Sequence, residues 1–448
     1  MSRDNSRDFP RDPRRPRRSA LPGDDSFKAI SDNDRVFRTV VPAQASKFFD
    51  QDAPESKIFD QDAPENLEIK VTISETHATP NWLTFGVGND DIHLPMSRTS
   101  QKDLQTIQPR VDNPSTRIWT FKKKNSFNIH GFLCPKVIGS CEDAPPIFVT
   151  PATTNRRPTS IGVLDGMGGA GAGLAKFESP GFSISTSEAL LASRIVRFEV
   201  VRALTADSAT TCSALANSIR DRLKKTESSL RLAEKTRMRG TMTKRLPTTL
   251  VVSQIHDPDP ISGTKIDTWW AGDSRAFLVT PKDGLALLTR DHVRIDDPLE
   301  QLRSDPPIEN VVNMSTDFYL DEKSIVIKDP FLLMLATDGV FGYLPTPGFL
   351  ELGLIESLID SPTGAAEHFA NFCTTYAADD VSAVLFIRGF SDDTDMKNLF
   401  SSRLGVLRKR YSLLTSMTND DPNRNAEVER LWAIERPSYL RLSKVTHV

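Results

Sequence analysis

Residues 161–173, IGVLDGMGGAGAG, contain an apolar run that leads into a glycine-rich turn. The stretch from Gly166 to Gly171 fits the G-x-G-x-x-G pattern of a dinucleotide-binding loop, and Glu188 follows where such loops place a ribose ligand. Asp165, however, directly precedes the first glycine, where a carboxylate would repel a pyrophosphate. The turn is therefore open to two interpretations: an anion held by backbone amides, or a cation held by a carboxylate.

The composition excludes several classes of protein. The chain has 448 residues, a net charge of −3 and 38% hydrophobic residues, enough for a substantial core but without a general attraction to nucleic acid or acidic membranes. Its four cysteines form no C-x-x-C pair, and its seven histidines form no H-E-x-x-H motif, so we expect reduced thiols and no zinc site. No apolar stretch approaches the roughly 20 residues of a membrane span, and no secretory signal is recognisable. We therefore expect a cytoplasmic protein with no membrane partner.

Two unusual regions precede the main body. Residues 1–66 are expected to form a disordered, arginine-rich tail and a linker, because the first 18 residues contain seven arginines and almost no apolar side chains. An arginine-rich arm can bind nucleic acid or an acidic partner, but a solvated tail is the simpler interpretation. A decapeptide repeat, KFFDQDAPES at 47–56 and KIFDQDAPEN at 57–66, indicates a linker or a short partner-binding motif. Residues 67–115 are predicted to form a β-rich extension.

Residues 116–390 form the predicted main domain, and residues 391–448 a helical C-terminal extension that packs on the core or binds a partner. Strand-like runs are followed by two helical segments, the second starting at Cys212 and continuing to about residue 240, and then by more strands. This order indicates an α+β fold, because a dinucleotide-binding domain needs alternating strands and helices. Within the strand around Trp269 and Trp270, alternation predicts one buried and one exposed indole.

Four aspartates share a setting at the ends of apolar runs: Asp165, Asp273, Asp338 and Asp379. Any one of them is most simply interpreted as turn chemistry, because Asp-Gly after an apolar run is a common turn signal. Turn chemistry alone does not explain four such junctions. If the four carboxylates converge, they repel one another unless a hard cation neutralises them. Ligation by oxygen alone, without histidine or cysteine, favours Mg²⁺ or Mn²⁺ over zinc.

Seven motifs resemble, in order and approximate spacing, those of the metal-dependent type 2C (PPM) protein phosphatases. They are CEDA (141–144), VLDGMGG (163–169), LPTTLVV (246–252), AGDSRAFLV (271–279), LTRDH (288–292), LLMLATDGVFG (332–342) and DDVSAVLF (379–386). The resemblance implies an α+β fold, a β-sandwich of two antiparallel sheets flanked by helices, with N- and C-terminal extensions outside it. It covers residues 116–390 and leaves both termini unexplained.

The resemblance also implies a site for two Mg²⁺ or Mn²⁺ ions, with Asp165, Asp338 and Asp379 as its catalytic residues. A water bridging the two ions would attack phosphoserine or phosphothreonine in a phosphorylated protein substrate, opposing a serine/threonine kinase in signalling. The implied metal-site residues are Asp165 (both ions), Gly166 (through its carbonyl), Asp338, Asp379, Glu142 and Asp143 (through metal-bound waters) and Asp273 (a third, looser ion).

Three positions bear on the strength of this assignment. Ile138 stands where the family usually has a phosphate-gripping arginine, for which Lys136, Arg156 or Arg157 could substitute. Gly342 stands where many members have an aspartate, which bears on the third metal ion. Met167 replaces a histidine, as is common in bacterial members. The alternative is a catalytically degenerate domain that acts as a regulatory or phosphoprotein-binding module.

Overall fold

The structure is a computed structural model, and it describes two parts of the chain. The main part comprises residues 116–123, 126–137, 141–150, 158–169, 173–179, 182–206, 210–227, 231–232, 244–314, 317–328, 330–362 and 364–443. The other part is the backbone of four strands nearer the N-terminus: β1 (Arg35–Arg38), β2 (Ile69–Ser74), β3 (Trp82–Val87) and β4 (Asp90–Ile92). The decapeptide repeat at 47–66 and the first 34 residues lie outside the described residues.

Strands β1 to β4 form an antiparallel sheet in the order β1-β2-β3-β4. β2 and β3 coincide with the predicted strands of the β-rich extension. β1 departs from the expectation of disorder for residues 1–66, since Arg35–Arg38 pairs in register with Lys70–Ile73 of β2. β2 thus provides backbone hydrogen-bond partners for Arg35–Arg38, a pairing that the composition of this segment did not indicate.

Fourteen further strands are present in the described main part. They are β5 (Arg117–Lys123), β6 (Phe127–Cys134), β7 (Ile147–Val149), β8 (Thr159–Val163), β9 (Leu174–Ser179), β10 (Phe182–Ser187), β11 (Arg231–Leu232), β12 (Leu250–Ile255), β13 (Thr264–Ala271), β14 (Arg275–Thr280), β15 (Gly284–Leu287), β16 (Asp321–Ile327), β17 (Phe331–Ala336) and β18 (Val381–Arg388). Two large antiparallel sheets have the orders β16-β13-β12-β8-β7 and β15-β14-β17-β18-β6-β5, and β10-β9-β11 form a small third sheet. The predicted two-sheet fold is confirmed.

Eight helices complete the described elements. They are α1 (Glu188–Thr205), α2 (Cys212–Glu227), α3 (Pro298–Ser304), α4 (Asp338–Phe341), α5 (Phe349–Asp360), α6 (Ala365–Tyr376), α7 (Asp393–Ser416) and α8 (Arg424–Tyr439). Ser187 caps α1 by accepting a hydrogen bond from the Leu190 amide. α2 ends at Glu227, earlier than predicted, and Arg231–Leu232 pairs with β9 instead of continuing the helix. Among the described helices, none is long and apolar enough to cross a membrane.

The core has three layers of apolar side chains, because both faces of each large sheet are covered. In β17, Phe331 and Leu333 point between the sheets, whereas Leu332 and Met334 pack towards α5 and α6. A third apolar layer lies between the five-stranded sheet and helices α1 and α2. The expectation for the two tryptophans was wrong: Trp269 is 5% and Trp270 3% exposed. Helices cover the outer face of their strand, so alternation sends both indoles into apolar layers.

The C-terminal extension is part of this core. α7 buries a helical stripe against α5 that includes Phe400, Leu407 and Leu414, and α8 adds Leu431 and Trp432. These side chains belong to the same apolar cluster as Met334 of β17, so α7 and α8 pack on the main domain.

We expect Leu414→Ala to lower the free energy of unfolding by about 2–5 kcal/mol, because the side chain is 1% exposed and its removal leaves a cavity. The matched control is Leu413→Ala on the same helix; Leu413 is 50% exposed, and the change should cost within about 0.5 kcal/mol. Denaturant unfolding of both variants measures the difference. Equal losses would contradict the packing of α7 on the core.

Candidate metal centre

The acidic residues identified in the sequence follow or precede strands of the two large sheets. Asp165 comes just after β8, and Asp273 lies in the turn between β13 and β14. Asp338 begins α4 directly beyond β17, and Asp379 precedes β18. Backbone pairing of the strands fixes these positions, so the carboxylates are carried by the rigid part of the fold.

The carboxylates act on one another electrostatically. Burial, followed by the charges of Asp143, Asp338 and Asp273, raises the pKa of Asp165 well above its usual value. Burial and the charge of Asp379 raise the pKa of Asp338 to about 6. Burial and the charge of Asp338 likewise raise the pKa of Asp273. Residues 165, 273, 338 and 379 therefore lie close enough for their charges to act on one another, although they come from distant parts of the chain.

Asp143, from the first acidic motif, joins this group. Asp143 is 1% exposed, and after burial its charge is the first of those that raise the pKa of Asp165. Burial, and next the charge of Asp380, raises the pKa of Asp143 well above its usual value. The Thr337 hydroxyl donates to Asp143 Oδ2 at 2.9 Å and orients it.

Asp380 was not singled out by the sequence, and it holds the first acidic motif in place. Its two carboxylate oxygens accept from the main-chain amides of Lys136 and Glu142, both at 2.7 Å. Asp380 thus ties the start of β18 to the loop after β6. No local pattern distinguishes it from Asp379; only the tertiary fold separates an anchoring carboxylate from one that faces the cluster.

The glycine-rich turn lies against Glu142. A Cβ atom on Gly166 would come within 2.6 Å of the Glu142 carbonyl oxygen, and one on Gly168 would overlap the Glu142 carboxylate. The turn therefore needs glycine for the close approach of an acidic residue, not of a pyrophosphate. The next described element is strand β9 rather than a helix, and the sheet is antiparallel. The dinucleotide interpretation of this turn was wrong.

Hydroxyl groups of the LPTTLVV motif hold the main chain of Asp165. Thr248 Oγ1 donates to the Asp165 carbonyl oxygen at 2.6 Å, and the Asp165 amide donates to Thr249 Oγ1 at 3.2 Å. Thr249 Oγ1 is also 2.7 Å from Ser274 Oγ, next to Asp273. These neutral groups link two motifs without neutralising either carboxylate.

Two arginines of α1 hold the loop 141–146, and the sequence did not identify them. Arg194 donates to the carbonyl oxygens of Glu142 (2.7 Å) and Cys141 (2.9 Å), and Arg197 Nε donates to that of Pro145 at 2.7 Å. Both were hidden in an amphipathic helix pattern, where arginine is normally a solvated residue. Because they bind carbonyl groups, they position the loop through its main chain.

His292 orders the turn that carries Asp273. Its Nδ1 atom accepts from the Gly272 amide at 3.0 Å, and Nε2 lies 3.0 Å from the Asp321 carboxylate. The Gly272 backbone has φ +100, a conformation that glycine adopts readily. His292 therefore fixes the backbone before Asp273 and is not placed for proton transfer to a substrate.

One candidate for the absent phosphate-gripping arginine can be located. The Lys136 ammonium group donates to the Ala378 carbonyl oxygen, beside the acidic pair Asp379 and Asp380. Ile138 and the other candidates, Arg156 and Arg157, lie outside the described residues. Lys136 therefore has a position next to the carboxylate cluster.

The chemistry of the cluster fits a hard divalent cation. Its donors are all oxygen atoms, and Asp273 Oδ1 is buried without a hydrogen-bond partner. In the described part of the chain, no three acidic, histidine or cysteine side chains are arranged closely enough to enclose an ion by themselves. The side chains are therefore not already arranged so that three of them could bind an ion directly. The cluster does combine neighbouring negative charges with a buried oxygen that has no hydrogen-bond partner.

Comparison with solved structures finds bacterial serine/threonine phosphatases. Stp1 from Staphylococcus aureus is 17% identical, with a TM-score of 0.40 over 61% of this chain and 94% of its own. PstP/Ppp from Mycobacterium tuberculosis is 13% identical, with a TM-score of 0.41 over 59% and 99%. A PstP catalytic domain in complex with two manganese ions is 16% identical, with a TM-score of 0.39 over 58% and 98%. No family model and no curated protein matches the chain.

Gly339 offers a test of the packing beneath the cluster. A Cβ atom there would overlap the Asp380 carbonyl oxygen, so Gly339→Ala must move α4 or β18 and should cost about 1–3 kcal/mol of stability. The matched control is Gly405→Ala in α7, where the added methyl group meets open space and should stabilise the helix by up to about 1 kcal/mol. Thermal unfolding compares the two. A Gly339→Ala protein as stable as the wild type would show that α4 is not packed against residue 380 in this way.

Proposed function

We propose that this protein is a metal-dependent phosphoprotein phosphatase that hydrolyses phosphoserine and phosphothreonine. The observation that carries the proposal is that Asp143, Asp165, Asp273 and Asp338 are buried near one another, where burial first and the charges of neighbouring carboxylates next raise the pKa of each. A fold gains nothing from such repulsion, so we infer that a cation offsets it. The order of the seven motifs supports the same assignment.

The residues we assign to the metal ions are those the sequence identified. Mg²⁺ or Mn²⁺ ions would be held by Asp165, the Gly166 carbonyl, Asp338 and Asp379, with Asp273 towards a third ion and Glu142 and Asp143 reaching the ions through water. When bound, the ions would provide Lewis acidity and a water of lowered pKa for in-line attack on phosphorus.

The chain itself would contribute orientation and charge. Thr337 and Thr248 keep Asp143 and the main chain of Asp165 from turning away as the dianionic phosphate approaches. Lys136 is our candidate for binding the phosphate oxygens in place of the usual arginine. The substrate would be a cytoplasmic protein phosphorylated by a serine/threonine kinase, and the two activities would oppose each other in signalling.

We expect the purified protein to hydrolyse p-nitrophenyl phosphate and a phosphothreonine peptide with Mn²⁺, and to lose this activity in EDTA. Asp165→Asn and Asp338→Asn should each lower kcat/KM by more than about a hundredfold. Loss of a residue that only supports a metal ligand costs up to about a hundredfold, and loss of a ligand should cost more. Steady-state hydrolysis assays measure the effect.

Asp257→Asn is the matched control, because Asp257 is exposed in the turn after β12 and should leave hydrolysis unchanged. Activity that survives in Asp165→Asn or in EDTA would refute the proposal. Metal binding without hydrolysis of any phosphoester would favour the alternative, a degenerate domain that binds phosphoproteins.

Stability provides a second test that does not depend on activity. Without metal, Asp165→Asn should leave the free energy of unfolding unchanged or raise it by about 1 kcal/mol, because one repelling charge is removed. Mn²⁺ at a hundred times its dissociation constant should stabilise the wild type by about 2.7 kcal/mol and the variant by much less. Thermal unfolding with and without Mn²⁺ measures both effects. Equal stabilisation of the two proteins would place the metal elsewhere.

A further inference from the structure

The C-terminal extension is joined to α3 through one carboxylate. Asp297 caps α3 by accepting from the main-chain amides of Leu299 (2.9 Å) and Glu300 (3.3 Å). The same carboxylate accepts from the indole N–H of Trp432 at 3.1 Å and lies 3.1 Å from Nε of Arg436. Trp432 and Arg436 belong to α8. The residue that begins α3 is therefore also the point at which the C-terminal extension holds it.

A second attachment passes through Arg275, which is 1% exposed. Its guanidinium group donates to Gln301 Oε1 in α3 at 2.6 Å and to the hydroxyl of Tyr439, the last residue of α8, at 3.3 Å. The same group lies 4.2 Å from the ring centre of Phe341, at the end of α4. α3, α8 and the helix that begins with Asp338 thus meet on one buried side chain.

Gln301 also places α3 beside the turn that carries Asp273, because its partner Arg275 begins β14 directly after that turn. Asp305 ends the helix in a left-handed conformation with φ 45, and its amide donates to the Gln301 carbonyl oxygen at 3.1 Å. Its charge is one of those that raise the pKa of Asp338, after burial and Asp379. α3 therefore contacts α8 through Asp297 and, through Gln301 and Arg275, the elements that carry Asp273 and Asp338.

Polar contacts, rather than continuous packing, join the outer edges of the two helices. Arg303 of α3 lies 2.5 Å from the Glu429 carboxylate of α8. A cavity of about 430 Å³ separates the helices beside these contacts. It is lined by Asp297, Glu300, Arg303, Glu429, Trp432 and Arg436, among others. Loss of single polar contacts should therefore loosen α3 without unfolding the domain.

We propose that the C-terminal extension is a brace that holds α3 beside the carboxylate cluster, so that Trp432 and Arg436 are positioning residues for the binding of a protein substrate. The inference rests on the proposed phosphatase function and assigns the binding of substrate residues around the phosphate to α3. Arg303 and Ser304 are exposed on this helix and are accessible to a protein substrate. A small phosphate ester needs only the carboxylate cluster and should be insensitive to the brace.

The experiment uses the full chain with the substitutions Arg436→Gln and Trp432→Phe. Arg430→Gln is the matched control, because Arg430 lies on the same helix and its ion pair among the described residues is with Glu427 of that helix, at 2.6 Å. Hydrogen exchange of amides 299–304 should accelerate by up to about fivefold in Arg436→Gln, as expected for a partly exposed ion pair. It should accelerate by about tenfold in Trp432→Phe, which loses a charge-assisted hydrogen bond. The control should match the wild type.

Hydrolysis is then compared on two substrates. In the two brace variants, KM for a phosphothreonine protein should rise by about the same factor as the exchange rate, while kcat/KM for p-nitrophenyl phosphate stays within about twofold. Unchanged exchange in α3 would overturn the brace, whatever the enzyme's activity. Faster exchange with equal losses on both substrates would overturn the role in substrate binding. Absence of hydrolysis in the wild type would instead refute the phosphatase function, and the exchange measurement would still decide whether the brace exists.

Discussion

Repulsion among carboxylates held together by the ends of strands is the constraint on which the rest of the molecule depends. Burial first, and then the charges of neighbouring carboxylates, raises the pKa values of Asp143, Asp165 and Asp338, so bringing these groups together costs free energy in the absence of a cation. Burial of both faces of two large sheets offsets that cost. The site is therefore a locally unfavourable arrangement that a well-packed sandwich sustains, which is typical of functional sites.

Hydrogen bonds orient the groups of the cluster and the main chain that carries them. Thr337 and Thr248 act through neutral hydroxyls, and Arg194 binds carbonyl oxygens of the acidic loop. Both carboxylate oxygens of Asp380 accept from main-chain amides. These contacts hold the acidic residues in place from distant parts of the chain.

The C-terminal helices extend the folding unit beyond the region that the motifs cover. Motif resemblance stops near residue 390, yet Leu414 and Trp432 lie in the same apolar layer as strand β17. Those helices also hold Asp297 and reach Arg275, and through them they contact the elements around the cluster. The motifs show where the resemblance to the family ends. The buried contacts of α7 and α8 show that the packed domain continues beyond that point.

The sequence by itself indicated many of the strands and singled out Asp165, Asp273 and Asp338, because short apolar runs and the acidic residues that end them are local patterns. The antiparallel two-sheet arrangement was implied by the resemblance of the motifs to a known family. The sequence could not reveal that both tryptophans of β13 are buried, since that depends on helices packing over the outer face. It also could not distinguish Asp380 from Asp379 or find the arginines of α1. Their roles depend on partners far away in the chain, and only tertiary structure determines which carbonyl or amide a side chain meets.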